Sequence, residues 1–293
     1  MIIIGNKYIF LDHEIKQIKK KEPFKQIKIY DSKEILDLAK KNPDELIVLN
    51  TPYEFTKHML EKLKNYNVTT IEDFLEKNFQ KIYVPFKSEK YFPKMKPYSK
   101  FQYFQKRVID FLTGGVLAIL TLPIMLYSAY RIKKESPDGP ILFTQYRIGK
   151  NGKPFKCYKF RSMRTDIDFF NHYTQQNDPR IFPWGAFMRK TRIDELPQLI
   201  NVFKGEMHMI GPRAEWDELV KNYEKTFPFY HERHKVAPGI SGWAQVNYPY
   251  GQNIEDTRQK LMYDLFYIKN WSLALEFKTI FKTVLVMLGK KGL

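Results

Sequence analysis

A chain of 293 residues is long enough for one large domain or two ordinary ones, and 43% hydrophobic with 16% aromatic residues excludes a disordered or fibrous class. Forty-nine Lys and Arg against 32 Asp and Glu leave a formal charge of +17, which requires an anionic partner: nucleic acid, an anionic membrane surface or phosphorylated substrates. The single cysteine, Cys157, excludes an internal disulfide and suits a reducing compartment, and the six histidines (His13, His58, His172, His208, His231, His234) show no zinc-ligand spacing and read as solvated or packing residues.

The start, Met1-Ile-Ile-Ile-Gly5, is too short and too soon interrupted to read as a signal peptide. Residues 1–90 read as a small α/β unit. Within it, residues 27–30 and 46–50 are β-branched or apolar runs expected to be strands. Thr51-Pro52-Tyr53-Glu54 offers an N-cap, a proline at the first helical position and a capping-box glutamate; Asp31 with Glu34, and Thr70 with Asp73, repeat the cap-to-N3 spacing. Strands alternating with helices predict a short parallel sheet. No G-x-G-x-x-G follows a strand, so a dinucleotide is not indicated and the unit reads as regulatory or structural. A basic linker, 91–105, follows. The run 87–100 (KSEKYFPKMKPYSK) is either a solvated connector or a strip that touches anionic headgroups.

Residues 111–130 (FLTGGVLAILTLPIMLYSAY) carry no charge. A straight helix of 20 residues is about 30 Å long, the thickness of a bilayer core, so the segment is a membrane helix or else a buried core helix. Lys100, Lys106 and Arg107 precede it, and Arg131, Lys133 and Lys134 follow. Positive charge marks the cytoplasmic side of a membrane and here marks both ends. With Pro123 removing a backbone N–H past the middle, this predicts a re-entrant helix at about 107–131, with a single straight span as the alternative.

Beyond it, residues 141–148 and 154–160 are expected strands, joined by Gly149-Lys-Asn151-Gly152 as a hairpin. A helix through Leu196 should stop at Gly205. The last element, 273–288, places Leu273, Phe277, Ile280, Phe281, Val284 and Leu288 at helical spacing and Lys278 and Lys282 on another face, as either a core helix or an interfacial one.

The densest polar cluster lies between Lys159 and Arg213. It holds Lys159, Arg161, Arg164, Arg189, Lys190, Arg192 and Arg213 around the pair Asp194-Glu195. Guanidiniums bind phosphate oxygens bidentately and a lysine adds a point charge, although any single cation here could equally be a solvated surface charge. Thr191 and Asp194 have capping-box spacing, which would make the pair structural. A helix starting there, however, puts Pro197 in its second turn. Starting at about Asp194 instead, the helix holds both carboxylates at its positive end, where an ionised carboxylate can attack phosphorus or hold Mg²⁺.

Four motifs spread over roughly ninety residues carry a resemblance. Lys159-Phe-Arg-Ser-Met163, Arg189-Lys-Thr-Arg-Ile-Asp194-Glu-Leu-Pro-Gln-Leu-Ile-Asn-Val202, Gly211-Pro-Arg213 and Pro238-Gly-Ile-Ser-Gly-Trp-Ala-Gln-Val-Asn247 resemble, in order, the bacterial sugar transferase family, the monotopic polyprenyl-phosphate phosphoglycosyl transferases. Tyr263-Asp-Leu-Phe-Tyr267-Ile-Lys-Asn-Trp271-Ser is similar to the family's C-terminal pattern. The chain departs from it at Ala237 and at Tyr248-Pro249, where many members carry arginine, at Ala214 in place of a proline, and at Phe182-Pro-Trp184.

The resemblance implies an α-rich α+β catalytic domain over 106–293 with a re-entrant membrane helix and amphipathic interfacial helices, behind a truncated Rossmann-like unit. It implies transfer of a sugar-1-phosphate from a UDP-sugar to polyprenyl phosphate, at the cytoplasmic face of a bacterial inner membrane, in exopolysaccharide, capsule or lipid-linked glycan assembly. On that pattern Asp194 is the nucleophile, forming a phosphosugar–aspartyl intermediate with loss of UMP, and Glu195 its partner through Mg²⁺ or proton handling. Lys159, Arg161, Arg189 and Arg213 would surround the phosphates, and Asp194 and Glu195 would hold the metal. Membrane lipid is an expected partner, a homodimer a compatible assembly, and nucleic acid is not expected. An inactive membrane-surface scaffold and a basic nucleic-acid-binding protein are the rival readings; the second leaves the uncharged segment unexplained.

Overall fold

The computed structural model describes residues 1–28, 31–86, 92–167, 178–248, 251 and 253–289. His172, Pro249, the last two residues of the expected strand 27–30 and the first five of the basic run 87–100 lie outside these. Two units emerge, Met1–Lys94 and Met95–Leu293.

The first unit is a four-stranded parallel sheet in the order β2-β1-β3-β4, built from β1 (Ile2–Gly5), β2 (Lys25–Ile27), β3 (Ile47–Asn50) and β4 (Val68–Thr70). Helices α1 (Asp12–Lys21), α2 (Ser32–Lys41), α3 (Tyr53–Lys62) and α4 (Ile71–Phe79) follow the strands in turn. β1 and β3 are buried along their length, as parallel strands covered on both faces must be. Ile2, Ile4, Ile35, Ala39, Ile47, Leu49, Met59 and Leu63 form the core. Asp31 accepts from Lys33 and Glu34 amides, and Thr70 from the Asp73 amide, as their spacing predicts. Two expectations are corrected. The second strand ends at Ile27, and α3 is capped by Pro52 without a side-chain bond, because the Thr51 hydroxyl pairs with that of Thr56 at 2.8 Å.

The second unit opens with α5 (Lys100–Glu135), 36 residues and about 54 Å at 1.5 Å per residue. Ser99 and Gln102 close its start with a reciprocal capping box. The helix contains Pro123 and has an apolar window of mean hydropathy 2.0, only 17% buried, so it is long and apolar enough to cross a membrane. Val116, Ile119, Leu120 and Leu122 in its middle are exposed, whereas both ends are held by the same unit. Near the start, the fully buried Lys106 donates to Glu276 at 2.7 Å, to the Tyr267 hydroxyl at 2.9 Å and to the Ile210 carbonyl at 2.7 Å. Arg107 reaches the Val202 carbonyl, and Asp110 accepts from the Met209 amide. Near the end, Met125, Ala129 and Ile132 pack against Phe160, Phe182 and Met188, and Glu135 accepts from the Trp184 amide.

After α5 come the antiparallel strands β5 (Leu142–Ile148) and β6 (Pro154–Phe160), turned at Asn151 and Gly152, both with positive φ. α6 (Pro183–Thr191), a 3₁₀ turn (Ile193–Gln198) and α7 (Leu199–Lys204) follow, and α7 stops at Gly205 with φ 80°. β7 (His208–Ile210) and β8 (Gly239–Ser241) form a short parallel pair on either side of α8 (Asp217–Thr226). A Cβ at Gly239 would lie 2.1 Å from the Gly211 nitrogen, and one at Gly242 2.1 Å from its oxygen, so the two glycine motifs meet backbone to backbone.

The chain closes with α9 (Trp243–Asn247), α10 (Ile254–Lys269) and α11 (Leu273–Met287). On α11 the apolar stripe points away from the protein: Phe277, Phe281, Val284 and Leu288 are exposed, with Phe281 at 64%. Its inward face is Leu275, Glu276 and Thr279, while Lys278 and Lys282 lie over the Trp243 ring. The core-helix alternative for that stripe is therefore overturned.

Candidate active site

Three segments build the site: β6 contributes Lys159, the α6–3₁₀ junction contributes Arg189, Arg192, Asp194 and Glu195, and the loop after β7 contributes Arg213. The junction turns at Arg192, a non-glycine residue in the left-handed region with φ 62°. That turn ends α6 and starts the 3₁₀ turn with both carboxylates in its first turn. The carboxylates thus begin their helix close to where Pro197 demands, but the first six residues are 3₁₀ rather than α, with Pro197 inside.

Glu195 is the hub. Its Oε1 accepts from Lys159 at 2.8 Å and Arg213 at 3.2 Å, with Arg192 at 3.9 Å. Burial alone would raise its carboxyl, but Arg213, Lys159 and Arg192 together hold it at about 2. Asp194 is half-buried, and its Oδ1 is buried with no hydrogen-bond partner among the described residues. Burial, followed by the Glu195 charge, pushes its carboxyl above the usual range against the pull of Lys159, Arg189 and Arg192. The helix-end stabilisation expected from position is therefore outweighed by loss of water. Arg189 reaches the Ser162 hydroxyl at 3.4 Å.

Arg161 is not brought to this cluster. Buried to 4% exposure, its guanidinium donates to the Pro140, Ser136 and Met163 carbonyls and to the Ser136 hydroxyl, clamping the loop that leaves α5. Three of these contacts are to backbone carbonyls and one to a hydroxyl, so Arg161 is engaged with this loop and away from the cluster where phosphate contact was expected. Two supports escaped sequence reasoning. Asn201 holds the edge of β6 through the Tyr158 amide and the Lys156 carbonyl, which aligns Lys159. Arg233, paired with Asp264 at 2.7 Å, donates to the Arg213 carbonyl at 2.9 Å. Only their place among polar runs could have signalled them, and both contacts form only through the fold.

Among the described residues no three His, Cys, Asp or Glu side chains group as a metal site. A hard cation fits what is present. Mg²⁺ is held typically by one or two carboxylates, waters and substrate phosphates, and Asp194 offers a buried oxygen in need of a partner.

The carboxylate pair, Glu195 buried and Asp194 half-buried, thus lies among lysine and arginine side chains in a unit that carries a long apolar helix. Residues 101–290 match the family model for bacterial sugar transferases, and the chain belongs to that family. It is 46% identical over 190 residues to a UDP-N-acetylgalactosamine-undecaprenyl-phosphate N-acetylgalactosaminephosphotransferase of Aeromonas hydrophila, covering 64% of this chain and 45% of that protein. It is 40% identical over 182 residues to the UDP-glucose:undecaprenyl-phosphate glucose-1-phosphate transferase of Escherichia coli, covering 61% and 39%. It is 41% identical over 186 residues to the exopolysaccharide production protein PSS of Rhizobium leguminosarum, covering 61% and 92%. The chain thus spans less than half the length of the first two.

Proposed function

We propose that this chain transfers a sugar-1-phosphate from a UDP-sugar to polyprenyl phosphate. The observation that carries this is Asp194 Oδ1, buried and without a hydrogen-bond partner among the described residues, near Lys159, Arg189 and Arg192 and beside a Glu195 whose charge is already paired. A carboxylate oxygen so placed is free to attack the β-phosphorus of the donor, breaking the Pα–O–Pβ link. UMP leaves and a phosphosugar–aspartyl group remains. A phosphate oxygen of the polyprenyl acceptor then attacks the same phosphorus, releases Asp194 and yields a polyprenyl diphosphate sugar. Lys159, Arg189 and Arg213 would offset charge on the phosphate oxygens, and Glu195 keeps Lys159 and Arg213 in place. Asp194 and Glu195 would hold Mg²⁺, which supplies further neutralisation of the diphosphate when bound.

The same reading places the protein monotopically at the cytoplasmic face of a bacterial inner membrane. Both ends of α5 are gripped by one globular unit, which supports a re-entrant course over a span between two aqueous faces. The outward apolar face of α11 supports an interfacial helix touching membrane lipid. The strand order of the first unit supports a shortened Rossmann-like domain. A homodimer is compatible with all of this.

The test is UMP release by detergent-solubilised protein given polyprenyl phosphate, Mg²⁺ and UDP-sugars, including UDP-N-acetylgalactosamine and UDP-glucose. One sugar should give UMP, and Asp194→Asn should not. A folded, membrane-bound protein inert to every donor would turn the argument toward the inactive scaffold.

A further inference from the structure

At the foot of α5 lies a cleft of about 210 Å³, lined by residues that none of the chemistry above employs. Three lysines face it: Lys100 from the first turn of α5, Lys150 from the β5–β6 turn and Lys235 from the 3₁₀ turn Tyr230–Lys235. Lys235 also pairs with Glu232 and donates to the Met95 carbonyl at 3.3 Å; Lys150 lies 5.2 Å over the Tyr103 ring. The floor includes His208, which is 1% exposed. Its Nδ1 is held by Asp110 at 2.6 Å, and its ring is flanked edge-on by Tyr98 and Tyr103.

We propose that this cleft binds the phosphate of an anionic lipid headgroup, at a site that shares no residue with the Asp194 cluster. Its volume is below the roughly 300–1,000 Å³ of pockets that enclose drug-sized ligands, so it suits a single headgroup and not a nucleotide sugar. Three lysines supply the charge a phosphate needs. His208 supplies the directional contact: with Nδ1–H fixed on Asp110, a neutral ring accepts at Nε2 from a P–OH or a glycerol hydroxyl, and a protonated ring donates to a phosphate oxygen. The lipid source rests on the reading that α5 lies in a membrane. Phe101 and Phe104, exposed on the same first turns, support it by presenting apolar surface beside the cations. The phosphate chemistry itself does not depend on that reading.

The test uses the full chain with ¹⁵N-labelled histidine and two probes. Inorganic phosphate is titrated into detergent-solubilised protein, and nanodiscs of phosphatidylcholine are compared with nanodiscs containing phosphatidylglycerol. The His208 ring signals should move with phosphate and with phosphatidylglycerol, and not with phosphatidylcholine alone. Lys150→Ala with Lys235→Ala should weaken binding about tenfold more than Lys153→Ala with Lys221→Ala, which removes equal charge from outside the cleft. Equal loss in the two double variants, or ring signals that move with neither probe, overturns the site. Movement with inorganic phosphate alone keeps a phosphate site and overturns its lipid source. If the protein joins nanodiscs of neither composition, the membrane reading fails and the phosphate titration still decides the site.

Discussion

Asp194 and Glu195 are neighbours in sequence with opposite electrostatic surroundings: one oxygen of Glu195 accepts from Lys159 and Arg213, while an oxygen of Asp194 is buried with no partner among the described residues. The positive charge of the site is thus anchored on the second carboxylate and leaves the first available. On the proposed function, two adjacent residues divide the work of positioning cations and meeting substrate, and each should respond differently to substitution and to pH.

For Asp194 the raised carboxyl means that the folded chain takes up a proton more readily than the unfolded chain. Such a group favours folding below its unfolded value and opposes it once pH rises past its folded value. Asp194→Asn should therefore raise the thermal midpoint at pH 7 while UMP release falls roughly 10⁴-fold, as for loss of a nucleophile. The acid limb of wild-type activity should lie above the range of an ordinary aspartate. A thermal midpoint lowered by Asn, measured beside the activity, would contradict this assignment.

Glu195 is the reverse case. Held at about 2 against an ordinary 4.5, and almost fully buried, it contributes stability on the order of 3 kcal/mol above pH 4.5 that is lost as pH falls toward 2. Glu195→Gln should be destabilised by about that amount at pH 7, and the difference from wild type should close on acidification. Denaturant midpoints across pH provide the check.

Arg161→Lys separates clamp from substrate contact. A lysine cannot repeat the forked contacts to Ser136, Pro140 and Met163, so stability should drop by about 3 kcal/mol. KM for the UDP-sugar should stay unchanged in the folded fraction. A raised KM with intact stability would restore Arg161 to the phosphates.

Topology is open to labelling, since the native Cys157 is buried. Cysteines at Lys96 and Lys134, both exposed, should react with an impermeant maleimide from the same side of sealed vesicles. Reaction from opposite sides would establish a span. Phe277→Glu with Phe281→Glu on the outward face of α11 should weaken vesicle binding about tenfold or more without moving the thermal midpoint.

Local chemistry made much of this legible. Asn151-Gly152 marks the hairpin, Gly205 the end of α7, and Asp31 and Thr70 the starts of α2 and α4, because each acts through backbone within a few residues. The gathering of cations around two carboxylates was also visible in the run between Lys159 and Arg213. Arg161 was not separable from its neighbours, since only the fold brings Gly139 so close that a Cβ there would sit 2.8 Å from the guanidinium carbon. β1, β4 and the β7–β8 pair have four residues or fewer, and gain stability only from partners distant in sequence. Periodicity found the apolar stripe of α11 but says nothing of which way a stripe faces.

The buried ammonium of Lys106 is answered by Glu276, 170 residues further along the chain. A ribosome therefore delivers the apolar helix long before its counter-ion exists, and until α11 is made the helix foot must stay hydrated or be shielded by another protein. Closure of the second unit and firm seating of α5 are then one late event. A nascent chain stopped before Glu276 would hold an unanswered charge at the point where its apolar helix joins the body.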